Sequence, residues 1–559
     1  MPLARSLALT SAVAFCLSSA VVAAPPDVKH LFPAGGAAGQ TVEVAIGGSA
    51  GAAPVQVWCS RDDVKGEVGE SGKLTIAIGA KAAPGVAWLR LFNAEGASSL
   101  RPLVIGSLPE TIEVEPNDDL KKATVVPAVP AVVNGVLEKN GDVDVFAVPL
   151  KAGQTLVADA VANRQLGSPI DAVLQLLSPA GRVLEQNNDD QGLDPRIVFT
   201  APADGTYFVR VFGFPVEPNS SITFAGAAGA VYRITLATGP FVDHAHPSVV
   251  SRGSSGSVKG IGWNLGSNPA PSALTPSPSP GGRGEEMVLP FDASSDAASL
   301  TLHLPGMNNV ATIGVVPHAS VVETEPNDRE HANEVAFPVT VSGHIDVPRD
   351  VDVFRLRASK GQKLEVSVDA RTLDSPVDPV LRITDATGKV LQEQDDEARR
   401  SFDCQLTFTA PADGEFFFAV SDRFEHGSTR HFYRLTIAPP RPDFALTPSA
   451  DSFVLTPGKP LEIPVTIARE QGFAGEIEIT ATGLPEGVTA ALPKSEPKGD
   501  SSKSVKLSIT AADAKPWSGP IRIVGKSTTD PAITKMAEVP LTGLATRTDH
   551  LWLTVVAAK

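Results

Sequence analysis

Two short stretches of the chain concentrate oxygen ligands. IEVEPNDDL (112–120) sets Glu113, Glu115, Asn117 and Asp118 around Pro116, and VETEPNDRE (322–330) repeats the arrangement with Glu323, Glu325, Asn327 and Asp328 around Pro326. Side chains of an extended chain alternate faces, so Glu113, Glu115 and Asn117 share one side at intervals of about 6.8 Å, twice the strand rise. The proline bends that path and lets the oxygens converge, with Asp118 joining from the turn that follows. Downstream, Asp142 and Asp144 in GDVDVF, and Asp350 and Asp352 in RDVDVF, again stand two apart, on one face of a strand that could lie opposite. Carboxylates gathered this closely repel one another unless a cation neutralises them. Calcium suits the set, because it takes about 6 to 8 oxygen ligands at about 2.3 to 2.6 Å in flexible geometry. Zinc suits it less, since neither cluster supplies cysteine and the nearby histidines are irregular. The alternative is an acidic strand edge, solvated to discourage edge-to-edge pairing.

The elements that must position these residues belong to a longer repeat. GDVDVFAVPLKAGQ (141–154) answers RDVDVFRLRASKGQ (349–362), and LGSPIDAVLQLLSPAGRVLEQNNDD (166–190) answers LDSPVDPVLRITDATGKVLQEQDDE (373–397). TAPADG recurs from Thr200 and from Thr409, each time before an aromatic strand, TYFVRVF or EFFFAVS. A duplicated domain is expected at 109–240 and 321–440. Within each copy short segments such as VDVFAV, AVLQLLS and YFVRVF alternate apolar and polar residues between Gly, Pro, Asn and Asp turns. This spacing predicts an all-β fold, with antiparallel sandwiches or jelly rolls in tandem. Residues 24–108, 241–320 and 441–559 read as immunoglobulin-like β domains between and around the copies. The third of these five units carries a Pro-, Ser- and Gly-rich insert, 268–286, with no core-forming period, expected to be a disordered surface loop.

The succession of ExEPND, a D-x-D-x-F strand and a closing TAPADG before an aromatic residue resembles the bacterial pre-peptidase C-terminal (PPC) domain. The two copies span a little under half of the chain. The resemblance implies a β-sandwich of the kind found beside the catalytic domains of secreted proteases and in other exported proteins, including the collagen-binding modules of clostridial collagenases. In calcium-bearing members the ligands come from the acidic N-terminal linker and from aspartates opening a following strand. The resemblance thus assigns a metal role to Glu113, Glu115, Asn117, Asp118, Asp142 and Asp144, and to Glu323, Glu325, Asn327, Asp328, Asp350 and Asp352. The second copy departs in one place, with Arg349 where the first has Gly141. Collagen binding is not expected to carry over, because it depends on surface aromatics. Tyr207, Tyr232 and Tyr433 are the chain's 3 tyrosines, and two of them sit in strand patterns suited to core packing.

Composition bounds the remaining possibilities. A chain of 559 residues exceeds one core and calls for several domains. Its first 23 residues carry Arg5, an apolar stretch and small residues, the pattern of a secretory signal cleaved after Ala23. Phe15 precedes Cys16, which argues against lipidation there. No later apolar run reaches the roughly 18 residues of a membrane span, so a soluble exported protein is expected. The formal charge of −16 argues against nucleic acid as a partner and favours cations. Cys59 and Cys404 fall in separate domains and read as buried thiols rather than a disulfide. Gly47, Ser49 and Gly51 match G-x-S-x-G, but a nucleophile elbow needs a helix after it, and Pro54 leads into another strand. His244 and His246 in VDHAHP could bind a metal side by side, although a pair in a linker reads first as solvated, and so do His426 and His431. No HExxH, phosphate loop or dinucleotide fingerprint occurs.

The sequence therefore predicts a secreted, non-catalytic protein whose modules are stiffened by structural calcium. It would bind an extracellular polymer, polysaccharide or protein, or a partner protein; as an alternative it would serve as accessory to a separate secreted peptidase or other hydrolase. Periplasm, cell surface and medium all begin with the same signal.

Overall fold

The computed structural model describes residues 24–69, 72–217, 223–267, 285–396, 402–512 and 514–558. The predicted leader, 1–23, and most of the predicted insert lie outside the described residues. Glu285 and Glu286, assigned to that insert from sequence, instead open the strand Glu285–Asp292.

The chain is all-β, built of β-sandwiches in tandem, and its helical turns run three or four residues among the described residues. Alternation decides the strands: Leu461–Glu470, LEIPVTIARE, buries Ile463, Val465 and Ile467 and exposes the residues between them, so each inward aliphatic contributes about 1.5 to 3 kcal/mol of burial. Among the described residues ten sheets fall into five pairs along the chain, each pair closing over its own apolar cluster, and a further two-stranded sheet pairs Val539–Pro540 with Arg547–Thr548.

The two modules that carry the acidic stretches have the same topology. In the first, one sheet pairs Glu110–Ile112 in parallel with Ala131–Val136, and Ala131–Val136 in turn pairs antiparallel with Val231–Ala237. The other pairs Thr124–Val125 in parallel with Asp144–Leu150, which lies antiparallel to Gly205–Pro215. Residues 113–123 thus leave the edge of one sheet and join the edge of the other, crossing the mouth of the sandwich. The second module repeats the crossing between Ala319–Val322 and Asn333–Glu334.

A second repeat runs through the immunoglobulin-like modules. Asp27–Phe32 and Phe241–His246 each pair antiparallel with a following strand and shift register at the same place, between Val28 and His30 or between Val242 and His244. Gly35–Ala37 then pairs in parallel with Arg101–Gly106, as Val249–Ser251 does with Ala311–Val316. The architecture is an immunoglobulin-like and PPC-like pair, repeated once, followed by the module from Asp443 to Val555.

Candidate metal centres

Each crossing segment meets the strand behind it at one mouth of its sandwich. Ligand oxygens of Glu113, Glu115 and Asp144 lie within 4.8 Å of one another, and so do those of Glu323, Glu325 and Asp352. Convergence replaces the even spacing of an extended strand because the segment leaves the ladder at Ile112. From there the Asn117 carbonyl accepts the Val145 amide at 3.1 Å, and the Asn117 amide donates to Glu115 Oε2 at 3.1 Å. In the second copy Asn327 accepts from Val353 at 2.7 Å and donates to Glu325 Oε2 at 3.2 Å. Both Glu-Pro peptides are cis.

Sequence reasoning missed the tyrosines. Tyr232 Oη lies 2.6 Å from Asp144 Oδ2 and 3.1 Å from Glu113 Oε2, so its single proton is shared between two carboxylates. Tyr433 repeats the arrangement, 2.7 Å from Asp352 and 2.9 Å from Glu323. Both rings are fully buried, as their strand pattern predicted, but their hydroxyls serve the site. The glycines opposite make room for them: a Cβ on Gly135 would stand 2.2 Å from Tyr232 Oη, and one on Gly343 2.4 Å from Tyr433 Oη. The available signal was that YRITLA and YRLTIA hold two of the chain's 3 tyrosines in equivalent strands.

Burial costs these acids their charge. Glu113 is pushed up to about 7 by burial, with the Glu115 charge adding to it, and Asp144 is pushed up to about 9 by burial and by Glu113. Glu323 and Asp352 are raised to about 7 and about 10 for the same reasons. Partial relief comes from the Val136 amide, which donates to Glu113 Oε1 at 2.6 Å; the His344 amide does the same for Glu323.

The remaining predicted ligands lie at different depths. Asn117 is fully buried, and one terminal atom of its amide stands 3.0 Å from Asp144 Oδ1 and 3.2 Å from Glu115 Oε1. With nitrogen there the amide donates to both; with oxygen there three oxygens face one another, joined either by the proton that Asp144 keeps or by a cation. In the second copy Asn327 Oδ1 and Asp352 Oδ1 are buried without a hydrogen-bond partner. Such orphaned oxygens, beside carboxylates and an amide, fit an oxygen-preferring divalent ion and leave no role for a thiophilic one. Asp118 and Asp328 do not join the three-residue groups. Once Asn117 and Asn327 are tied to the next strand, the following side chain points outward; both aspartates are exposed, and Asp328 accepts the Glu330 amide at 2.9 Å and pairs with His331 at 2.9 Å. Asp142 and Asp350 hold the approach turns instead, accepting the Glu138 amide at 2.5 Å and the Asp346 amide at 3.0 Å. Their charges still bear on Glu115 and Glu325. Arg349 turns its guanidinium away, 2.9 Å from Glu425, and occupies a left-handed backbone position (φ 71°) where the first copy has Gly141 (φ 88°).

Other sequence candidates resolve simply. Ser49 Oγ accepts the Gly51 amide at 3.1 Å in an exposed turn that leads to the strand Gln56–Cys59, with no helix after it. Cys404 is buried and Cys59 half-buried, both as free thiols. His244 and His246 are not in a linker; they end a strand, and His244 is buried.

The sequence pattern of the bacterial pre-peptidase C-terminal domain matches residues 142–213 and 350–422. Both modules are PPC domains. The acidic crossings precede the matched cores, which begin at Asp142 and Asp350. Over 141 residues the chain is 34% identical to a probable subtilase-type serine protease of Deinococcus radiodurans, a match covering 25% of this chain and 18% of that protein. Among solved structures, the pre-peptidase C-terminal domain of a Bacillus anthracis collagenase is 14% identical, with 21% of this chain and 99% of that one covered at a TM-score of 0.16. Trypsin-activated alpha-2-macroglobulin from Escherichia coli is 9% identical, covering 96% of this chain and 49% of that one at a TM-score of 0.15.

Proposed function

We propose that the chain is an exported, non-catalytic scaffold whose two PPC modules each hold one calcium ion at the mouth of the sandwich and together present a binding surface to an extracellular polymer or partner protein. The observation that carries this reading is the twice-built oxygen cluster with Asn327 Oδ1 and Asp352 Oδ1 buried and undonated. Glu113, Glu115, Asn117 and Asp144, and Glu323, Glu325, Asn327 and Asp352, would hold the ions. When bound, calcium would supply the positive charge that lets the buried acids ionise. The chain's own part is to fix the crossing segment to both sheets, which sets the angle at which each PPC module follows its neighbour and shields the linker from proteases. Export is supported by the leader pattern and by the PPC modules, and no described helix is long and apolar enough to cross a membrane.

Calorimetry tests the metal: wild type should bind two equivalents of calcium with a rise in melting temperature, and Glu115→Gln, Glu325→Gln should lose both responses. Absence of heat and of any shift in wild type would refute it. A panel of insoluble polysaccharides and protein fibres, with and without chelator, identifies the ligand class. A second reading, accessory to a separate secreted peptidase, is favoured by the match to the subtilase-type protein. It predicts that the chain changes the turnover of a co-secreted protease while showing no hydrolysis of its own.

A further inference from the structure

One side of the first PPC module carries a groove of ≈ 490 Å³ whose walls include Ile112, Val114, Pro116, Lys122 and Val125. Val114 and Val125 are each 68% exposed and Ile112 is 47% exposed, so the walls offer apolar surface to solvent. Two strands border the groove, Glu110–Ile112 and Thr124–Val125, and each ends its sheet among the described residues. The first bonds to Ala131–Val136 through the Pro109 carbonyl, which accepts the Val132 amide at 2.8 Å, and the Glu113 amide, which donates to the Asn134 carbonyl at 3.0 Å. Alternation along a parallel strand therefore turns the amide and carbonyl of Ile112 away from the sheet. The Val126 amide likewise donates to the Ala147 carbonyl at 3.0 Å, which turns the backbone of Val125 outward. Apolar side chains and backbone groups outside any ladder thus stand on the same two edges.

The second PPC module fills the same place with polar chemistry. Glu334 takes the position of Val125, because Asn333 pairs with Phe354 as Thr124 does with Phe146. Thr324 takes that of Val114: its amide donates to Asn333 Oδ1 at 2.7 Å, where the Val114 amide donates to Thr124 Oγ1 at 3.0 Å. Glu334 pairs with Arg355 at 2.9 Å, and a charge on an edge strand deters pairing with another chain. The first module lacks this protection on the same backbone plan. Where the chain covers such an edge itself, the cover is extended. Ser320 of the second module donates its amide to Ser251 Oγ at 2.9 Å and its hydroxyl to the Val249 carbonyl at 3.2 Å, both in the strand Val249–Ser251. Lys122 adds a charge to the groove; Asp119 meets it at 4.0 Å with both side chains more than half exposed, so little of that charge is neutralised.

We propose that this groove takes an extended segment of a partner polypeptide, which adds a strand along Thr124–Val125, seats apolar side chains on Ile112, Val114 and Val125, and sets one acidic side chain against Lys122. Main-chain bonds to the edge would give the affinity, and the apolar seats and the lysine the choice of segment. The net charge of −16 repels strongly acidic partners, which limits the acid to the place where Lys122 stands. The inference deepens the proposed binding role and rests on that reading: it makes the partner a protein and the first PPC module the one that holds it. Val114 and Pro116 belong to the crossing segment that carries Glu115, so the groove shares a wall with the oxygen cluster.

Fluorescence anisotropy of the labelled synthetic peptide TVTVDVTVS, titrated with full-length protein in excess calcium, tests the groove. Wild type should bind this probe saturably. Val114→Thr, Val125→Glu installs the residues that the second module already accommodates, and it should weaken binding at least about tenfold. Its β-sheet circular dichroism, cooperative melting and calcium uptake should match wild type, which separates loss of the groove from loss of the metal sites. Should the double variant fail to fold, Val125→Thr provides the same comparison. Val288→Thr, at a valine 67% exposed on another module, should bind as wild type does. Lys122→Glu should reverse the preference between this probe and TVTVKVTVS. TVPVDPTVS, whose two prolines remove amides on both edges of a strand, should bind at least about tenfold more weakly. No saturable binding by wild type, binding that persists in the folded double variant, or equal binding of the proline peptide would overturn the proposal. So would a wild-type dimer in sedimentation that the double variant lacks, which assigns the groove to a second copy, or polysaccharide retention lost in the double variant without peptide binding, which assigns it to a glycan. Retention on protein fibres that persists in the double variant would sink the groove and leave the broader binding role standing. Absence of retention on every polymer and fibre, with the probe still bound, would sink that role and leave the groove.

Discussion

Tyr232 and Tyr433 each offer one proton to two acids, and this fixes how the sites answer to pH. Glu113 and Asp144 carry their protons to about 7 and about 9 in the folded chain, mainly because they are buried. Unfolded, the same groups release them near about pH 4. The folded state therefore binds more protons in between, and the stability that this proton uptake lends is full at low pH and is lost as pH rises through the folded values. A bound cation would take over the protons' task at high pH. In chelator the melting temperature should fall between about pH 5 and about pH 9, and the gain from added calcium should widen over the same range. Scanning calorimetry at several pH values checks this; a calcium increment independent of pH would contradict it. Removing the shared donor gives a second expectation. Tyr232→Phe, Tyr433→Phe should destabilise the calcium-free protein by about 1 to 3 kcal/mol per site, because two buried acceptors lose their proton donor. Calcium should remove most of that difference in urea titrations.

At the scale of elements, the crossing segments and the turns that brace them decide whether the oxygens meet. The acidic crossings could be read from sequence because they are written twice and set carboxylates two apart, on one face of an extended segment. What could not be read was their depth. Asp118 looks as good a ligand as Asn117 in EPND, yet the backbone bond from Val145 to Asn117 turns one inward and leaves the other in solvent. Tyrosine in an alternating strand reads as core, and nothing local reveals that its hydroxyl reaches a carboxylate far away in sequence. The repeat of the immunoglobulin-like modules was hidden for the same reason: it resides in a shared bulge and shared parallel pairing, while Phe32 and His246 share no chemistry. The turn at Arg349 gives a clean test, since its left-handed φ of 71° suits glycine, the residue present at this place in the first copy. Arg349→Gly should stabilise the second PPC module by about 1 kcal/mol, as its Glu425 partner pairs with it only at the exposed surface. Loss of stability in chemical denaturation would show that the ion pair outweighs backbone strain.

At the scale of the whole molecule, the chain closes on itself. Arg90, fully buried in the first module, pairs with Asp451 of the last at 2.9 Å and donates to the His550 carbonyl at 3.1 Å. Trp552 packs against Phe92 at 4.8 Å and lies beneath the Arg90 guanidinium at 5.7 Å. Elsewhere Arg430 of the second PPC module reaches both Asp190 of the first, at 3.0 Å, and Asp243 between them, at 2.9 Å. Burial disfavours the Arg90 charge, and Asp451 offsets that cost, so a single truncation strands a buried ion while a double truncation does not. Arg90→Ala and Asp451→Ala should each cost about 3 to 5 kcal/mol, whereas the double variant should cost clearly less than their sum. The loss should come from separation of the terminal modules rather than from unfolding of either one, because the pair lies between their cores and not within them. Small-angle scattering should then show a larger radius of gyration in the single variants, with the β-sheet signal unchanged. Additive energies, or a radius of gyration equal to that of wild type, would show that Phe92 and Trp552 hold the closure without the ion pair.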